Sequence, residues 1–112
     1  MSITSGRFKI KDHKKDCFRI KISGHLTGAE TIALREKVAE CIALDFDIIY
    51  LDVKAVTEAD LSGVNEIIHT HYTLDKASKT LILLYKKHSP VEKWVETTGL
   101  DKFIATAIVP SK

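Results

Sequence analysis

The stretch Asp47–Ile68, DIIYLDVKAVTEADLSGVNEII, decides how the rest of the chain is read. Asp47–Val53 is a β-branched apolar run of strand length. Its near-continuous hydrophobicity predicts a strand covered on both faces, as in a sheet with helices against it. A short polar connection, Lys54–Glu58, follows, and Asp60-Leu61-Ser62-Gly63 opens a segment with helical periodicity to about Ala77. Val64, Ile67, Ile68, His71 and Leu74 mark the inner face of that helix. A strand feeding a helix with an acid, a hydroxyl and a glycine in its first turn gathers free backbone N–H groups at the positive end of the helix dipole. Such a place suits a phosphate or a partner.

Towards the N-terminus, Phe8–Lys11 and Cys17–Ile22 are alternating runs joined by the polar Asp12–Asp16, with Phe18, Ile20 and Ile22 on one face. They predict an antiparallel hairpin with one wet side, ended by Ser23-Gly24. Thr27-Gly28-Ala29-Glu30 is a capping-box pattern, and the helix it opens runs to about Ala43 with Leu34, Val38, Cys41 and Ile42 as its buried stripe.

Towards the C-terminus, Leu81–Tyr85 reads as another buried strand. In Ser89-Pro90-Val91-Glu92 the serine caps, the proline takes the first helical position and the glutamate completes the box. Val91, Trp94, Val95 and Thr98 form a stripe, Gly99 sits where a left-handed helix stop is expected, and Leu100 folds back as its apolar partner. Phe103-Ile104 and Ala107–Val109 predict a last short strand before Pro110. The order is β-β-α-β-α-β-α-β: an α/β sandwich with right-handed βαβ units, parallel strands and an antiparallel edge strand from the N-terminal hairpin.

Composition narrows the class of function. The 112 residues are enough for a single core, and 45% hydrophobic with 29% charged residues is ordinary for a globular protein. Seventeen basic against 15 acidic residues leave a net charge of +2, no footprint for nucleic acid over the whole chain. Arg7, Lys9, Lys11, Lys14, Lys15, Arg19 and Lys21 form one basic cluster, read as the solvated face of the hairpin, with an anionic partner as the alternative. No apolar stretch approaches membrane-spanning length, and MSITSGRFKI lacks the apolar centre of a signal peptide. Cys17 and Cys41 show no metal-ligand spacing and are expected as free, packed thiols in a cytoplasmic protein.

Catalytic patterns are scarce. The chain has no Gly-rich phosphate loop of the Walker or dinucleotide type and no G-x-S-x-G. Asp52 and Asp60, at a strand end and a helix start, are a possible acid–base pair; the alternative is a turn residue and an N-cap. His69 and His71 are two apart on a helix, point in different directions and make a poor chelate, so no metal is expected. Ser62 and Gly63 read either as a phosphate or ligand seat or as a local cap and a close packing contact.

Gly24 after the second strand, Leu51-Asp52 ending the third, Asp60-Leu61-Ser62-Gly63 opening a helix and Gly99-Leu100 closing the last together resemble the STAS domain of anti-sigma-factor antagonists and sulfate-transporter tails. The resemblance covers about residues 8–109 of what is read as a single domain, 1–112. It implies a non-catalytic, phosphorylation-controlled interaction module without a cofactor. Its partner would be an anti-sigma factor of the histidine-kinase-like ATPase fold. The family motif reads Asp-Ser-Ser-Gly, and its first serine is phosphorylated. Asp60 matches the aspartate, Ser62 the second serine and Gly63 the glycine, while Leu61 falls on the acceptor position and cannot be phosphorylated. The resemblance therefore implies a partner surface over Asp60, Leu61, Ser62, Gly63 and Val64, bordered by Gly24–Thr27 and Lys54–Glu58. Ser62 is a displaced acceptor at most. A nucleotide- or small-ligand-binding module and an accessory subunit of a membrane transporter are the rival functions.

Overall fold

The computed structural model describes residues 2–9, 16–28 and 31–110. The elements run β1 (Ser2–Lys9), β2 (Asp16–Leu26), α1 (Thr31–Ile42), β3 (Ile48–Ala59), α2 (Leu61–Lys76), β4 (Thr80–Lys86), α3 (Pro90–Thr98), a 3-10 turn (Leu100–Lys102) and β5 (Ala105–Val109). The five strands form one sheet in sequence order, β1-β2-β3-β4-β5. β1 is the antiparallel edge and the remaining pairs are parallel. This is the α/β architecture that the alternation of apolar runs and capped helices predicts.

Aligned residues across the parallel strands explain the core. Ile20, Leu51 and Leu83 lie side by side, as do Phe18, Ile49 and Leu81. All but the half-buried Phe18 are closed to solvent, and they share one cluster with Leu34, Val38 and Cys41 of α1, Ile67 and Leu74 of α2, and Val91 and Val95 of α3. Crossovers of one hand between successive neighbouring strands put successive helices on the same face. On the opposite face Tyr50, Ile82 and Leu84 are accordingly only half-buried, Asp52 being the one buried residue there over the paired lengths of β3 and β4. The continuous apolar run at Asp47–Val53 therefore does not mean burial on both faces. Arg19 and Lys21, from the basic N-terminal cluster, also stand on the helix-free face, where Arg19 Nη1 lies 3.8 Å from Asp52 Oδ2.

Three boundaries differ from expectation, for a common reason. Strands persist wherever a neighbour offers a ladder, whatever their own apolar pattern. β1 starts at Ser2 because Ser2–Lys9 pairs in register with Asp16–Ser23. β2 continues through Gly24 (φ 85) to Leu26, and β3 continues through Lys54–Glu58, because Gly24, His25 and Leu26 pair with Val56, Glu58 and Ala59 across irregular registers. The Gly24–Thr27 loop and the Lys54–Glu58 connection are thus mostly strand. The tip of the N-terminal hairpin and Ala29-Glu30 of the first capping box lie outside the described residues.

Helix chemistry follows the sequence more closely. Ser89 Oγ accepts from Glu92 N at 3.3 Å, and Glu92 reaches back one residue further than a strict box, accepting from His88 N at 2.9 Å. Gly99 closes α3 in the left-handed region at φ 69, and Leu100 behind it is fully buried. Thr98, expected on the α3 stripe, is exposed, and so is Ile42 at the end of α1. Both are the final residues of their helices. Phe103 precedes β5 and is exposed, whereas Ile104 is buried. Two polar groups the stripes miss, Glu66 and Thr70, are buried on α2.

Candidate functional site

The start of α2 is assembled by three segments meeting at Asp60. Asp60 has an extended backbone (φ −118, ψ 177), and its Oδ1 accepts from Gly63 N at 2.8 Å, an N-cap that satisfies one of the helix's orphan donors. Its Oδ2 accepts from Gly28 N at 3.3 Å, tying the segment before α1 to the start of α2. Its own N–H donates to Leu26 O at 3.2 Å, at the end of β2. One aspartate therefore links β2, the α1 approach and α2.

Two glycines make that meeting possible. A Cβ on Gly63 would fall 2.1 Å from Leu26 O, far inside contact distance. A Cβ on Gly28 would fall 2.9 Å from Ser62 Cβ. Ser62, though solvent-exposed, is thus packed against the Gly28 backbone, while Asp60 supplies the cap. Trp94 of α3 adds the third wall: its Nε1 donates to Ala59 O at 3.0 Å, so the ring braces the last residue of β3. Trp94 is half-buried, and its polar edge has a structural task that the apolar stripe did not reveal.

Leu61, at the first position of α2, is 56% exposed, and Val64 is buried beneath it. Of the expected partner surface, Asp60, Leu61 and Ser62 are accessible, while Gly63 and Val64 are closed off and hold the helix down. The neighbouring β2 and β3 ends carry a surface pair, His25 Nδ1 and Glu58 Oε2, 3.5 Å apart. The helix N-terminus already holds an anion, the Asp60 carboxylate. A phosphate placed there would meet that charge at close range, which weakens the dipole's attraction.

The proposed acid–base pair does not form. β3 runs unbroken from Asp52 to Ala59, so Asp60 lies roughly 25 Å further along an extended chain. Asp52 is no turn residue either. It is 1% exposed within the strand, its Oδ1 accepts from Lys54 N at 3.1 Å, and Arg19 and Lys54 cations stand 3.8 Å from Oδ2. His71 is half-buried with its ring edge-on to Phe103, 6.3 Å between centroids. Among the described residues no group of His, Cys, Asp and Glu could hold a metal, and no helix is long and apolar enough to cross a membrane. Cys41 is fully packed, and burial pushes its thiol up to about 11.

A link the sequence did not disclose joins the two helices beside the site. Arg35 of α1 donates from Nη2 to Glu66 Oε1 at 2.7 Å and from Nε to Oε2 at 3.2 Å, a bidentate pair onto a carboxylate only 4% exposed. The Glu66 hydrogen bond raises the Arg35 pKa further above its ordinary value, with the neighbouring charge adding to it. Glu66 follows Asp60 by less than two helical turns, and this pair fixes how α1 lies against the start of α2.

The family model of the STAS domain matches residues 9–111. The chain belongs to the STAS domain family. Its fold is similar to that of an anti-sigma factor antagonist from Mycobacterium paratuberculosis, with a TM-score of 0.73 at 19% identity over 94% of this chain and 85% of that one. It is also similar to the anti-sigma factor antagonist SpoIIAA in its unphosphorylated form, with a TM-score of 0.62 at 17% identity over 93% of this chain and 87% of that one. The phosphorylated form of the Bacillus cell fate determinant SpoIIAA gives a TM-score of 0.61 at 20% identity over 93% and 91%. No curated protein sequence matches the chain. At these identities the likeness is one of fold, and this STAS chain shares its α/β layout with antagonists of anti-sigma factors.

Proposed function

We propose that this STAS chain is a non-catalytic regulatory module that acts by docking onto an anti-sigma factor of the histidine-kinase-like ATPase fold. The single observation that carries the reading is the exposed Leu61 at the position where the family motif has its phosphoacceptor. An apolar side chain held on a rigid first turn is a suitable anchor for a partner pocket, with polar neighbours setting register. Asp60 and Ser62 beside it, and the His25–Glu58 pair at the adjoining strand ends, would supply that rim. Without a hydroxyl at position 61, docking would not be switched off by phosphorylation there, and the module would bind constitutively in the cytoplasm.

Affinity capture from a lysate of the source organism, with identification of the captured protein and intact-mass measurement of the bait, tests this reading. A histidine-kinase-like ATPase captured by unmodified protein is the expected result. A phosphate recovered on Ser62 would mean that a switch operates one position along. Capture of transporter subunits alone would refute the anti-sigma assignment.

A further inference from the structure

β5 forms one edge of the sheet. It pairs with β4 along its whole length, and among the described residues no strand lies beyond it. One bond shows which of its backbone groups face outward. Val109 O accepts from Lys87 N at 2.7 Å, so the N–H and C=O of Val109 point towards β4. By the two-residue repeat of a strand, those of Ala107 and Ala105 do the same. The N–H and C=O groups of Thr106 and Ile108 therefore point away from the sheet, an open row of donors and acceptors.

That edge lacks the usual protection against pairing. Ala105-Thr106-Ala107-Ile108-Val109 has no charged residue, and its register with β4 is unbroken until Pro110 ends the strand. The opposite edge, β1, carries Arg7 and Lys9. On the helix-bearing face Ile108 stands beside the buried Tyr85, yet it is 49% exposed. Phe103, just before the strand, is exposed as well.

We infer that β5 pairs antiparallel with β5 of a second copy of this chain, joining two five-stranded sheets edge to edge. The strand is complementary to itself about Ala107. In that register Ala107 faces Ala107, Ala105 faces Val109 and Thr106 faces Ile108. The outward groups of Thr106 and Ile108 exchange hydrogen bonds, and Ala107 forms the non-hydrogen-bonded pair on the two-fold axis. The two Ile108 side chains then lie diagonally across the helix-bearing face and cover each other's exposed surface. Neither strand carries a charge, so two copies meet without like-charge repulsion, and the edge has nothing with which to select a charged peptide. Pairing β5 with β1 of another copy would instead build an open-ended chain and set Arg7 and Lys9 on the ladder. A ladder this short falls below the roughly 1,200 Å² of a standard interface, so the dimer is reversible. The contact leaves out Asp60–Val64, and its failure would leave the docking reading untouched.

Sedimentation equilibrium of the intact chain over a range of concentrations tests it. A reversible monomer–dimer equilibrium is expected, with no larger species. Ile108→Lys sets a charge on the outward strand at a half-exposed position, so the monomer should keep its circular dichroism and thermal midpoint. Its dimerisation should be at least about tenfold weaker. Ala107→Cys places a thiol on the two-fold axis, where facing Cα atoms of a non-hydrogen-bonded pair stand about 4.5 Å apart, within the span of a disulfide. It should oxidise to a covalent dimer faster than Ala43→Cys, an exposed control just past α1, with Cys17 and Cys41 buried in both. A monomer mass alone up to about 1 mM, or growth beyond the dimer, would overturn the proposal. So would a dimer as strong in Ile108→Lys as in the native chain, or cross-linking no faster at position 107 than at the control.

Discussion

Gly63 shows how much one missing side chain can hold together. Its Cβ position overlaps Leu26 O, so Gly63→Ala must push the end of β2 away from α2. Alanine gains about 1 kcal/mol of helix propensity, yet overpacking costs about 1–3 kcal/mol, and the expected net result is a lower urea midpoint. A midpoint raised by the substitution would show that the contact is looser than described. The sequence pointed to a close backbone approach at Gly63 but not to which backbone, because β2 looked finished at Gly24. Asp60 was legible as an N-cap, whereas its second bond, to Gly28 N, depends on a long-range meeting that no local pattern encodes. Cys41 offers a pH test. Its thiol ionises at 9.0 ordinarily and at about 11 when packed, so the unfolded chain loses the proton first. Stability should be flat below the lower value and fall between the two as pH rises. Tyr50 and Tyr85, both raised chiefly by burial, add a loss of the same sign at higher pH. Denaturation at increasing pH should show a shallower decline in Cys41→Ala; an equal decline would remove Cys41 as its source.

At the scale of elements, α1 and α2 are joined by a charge pair that periodicity could not find, since Glu66 and Thr70 sit on a face expected to be polar. Glu66 is nearly closed to water, so Arg35→Ala leaves a carboxylate without its cation. Lys37→Ala on the same helix removes only a surface pair with Glu40, at 3.3 Å. Thermal unfolding should show a clear drop for the first and almost none for the second; equal drops would mean that Glu66 finds water. The helices were the readable elements, because caps and left-handed stops are local chemistry: Ser89, Pro90 and Gly99 set the bounds of α3. Strand ends were less readable because hydrogen-bonded neighbours decide them. β3 runs on through Lys54–Glu58 because β2 is there to pair with it.

For the whole molecule, element order, sheet type and family were legible in the sequence, since each apolar run and each capped helix has one place in a right-handed βαβ series. One face of the sheet carries all three helices, and the α2 start lies where β2, β3, α1 and α3 come together around Asp60 and Ala59. That convergence makes a rigid platform, and the exposed Leu61 is its apolar point. The most direct measurement is the affinity of the Leu61→Glu variant for the captured ATPase, alongside its circular dichroism and thermal midpoint. An acid in the first turn suits the helix dipole, so the fold should be unchanged. The account predicts that binding falls by at least about a hundredfold, the loss of a hot-spot anchor. Binding at full strength by the folded variant would contradict it and place the docking surface elsewhere.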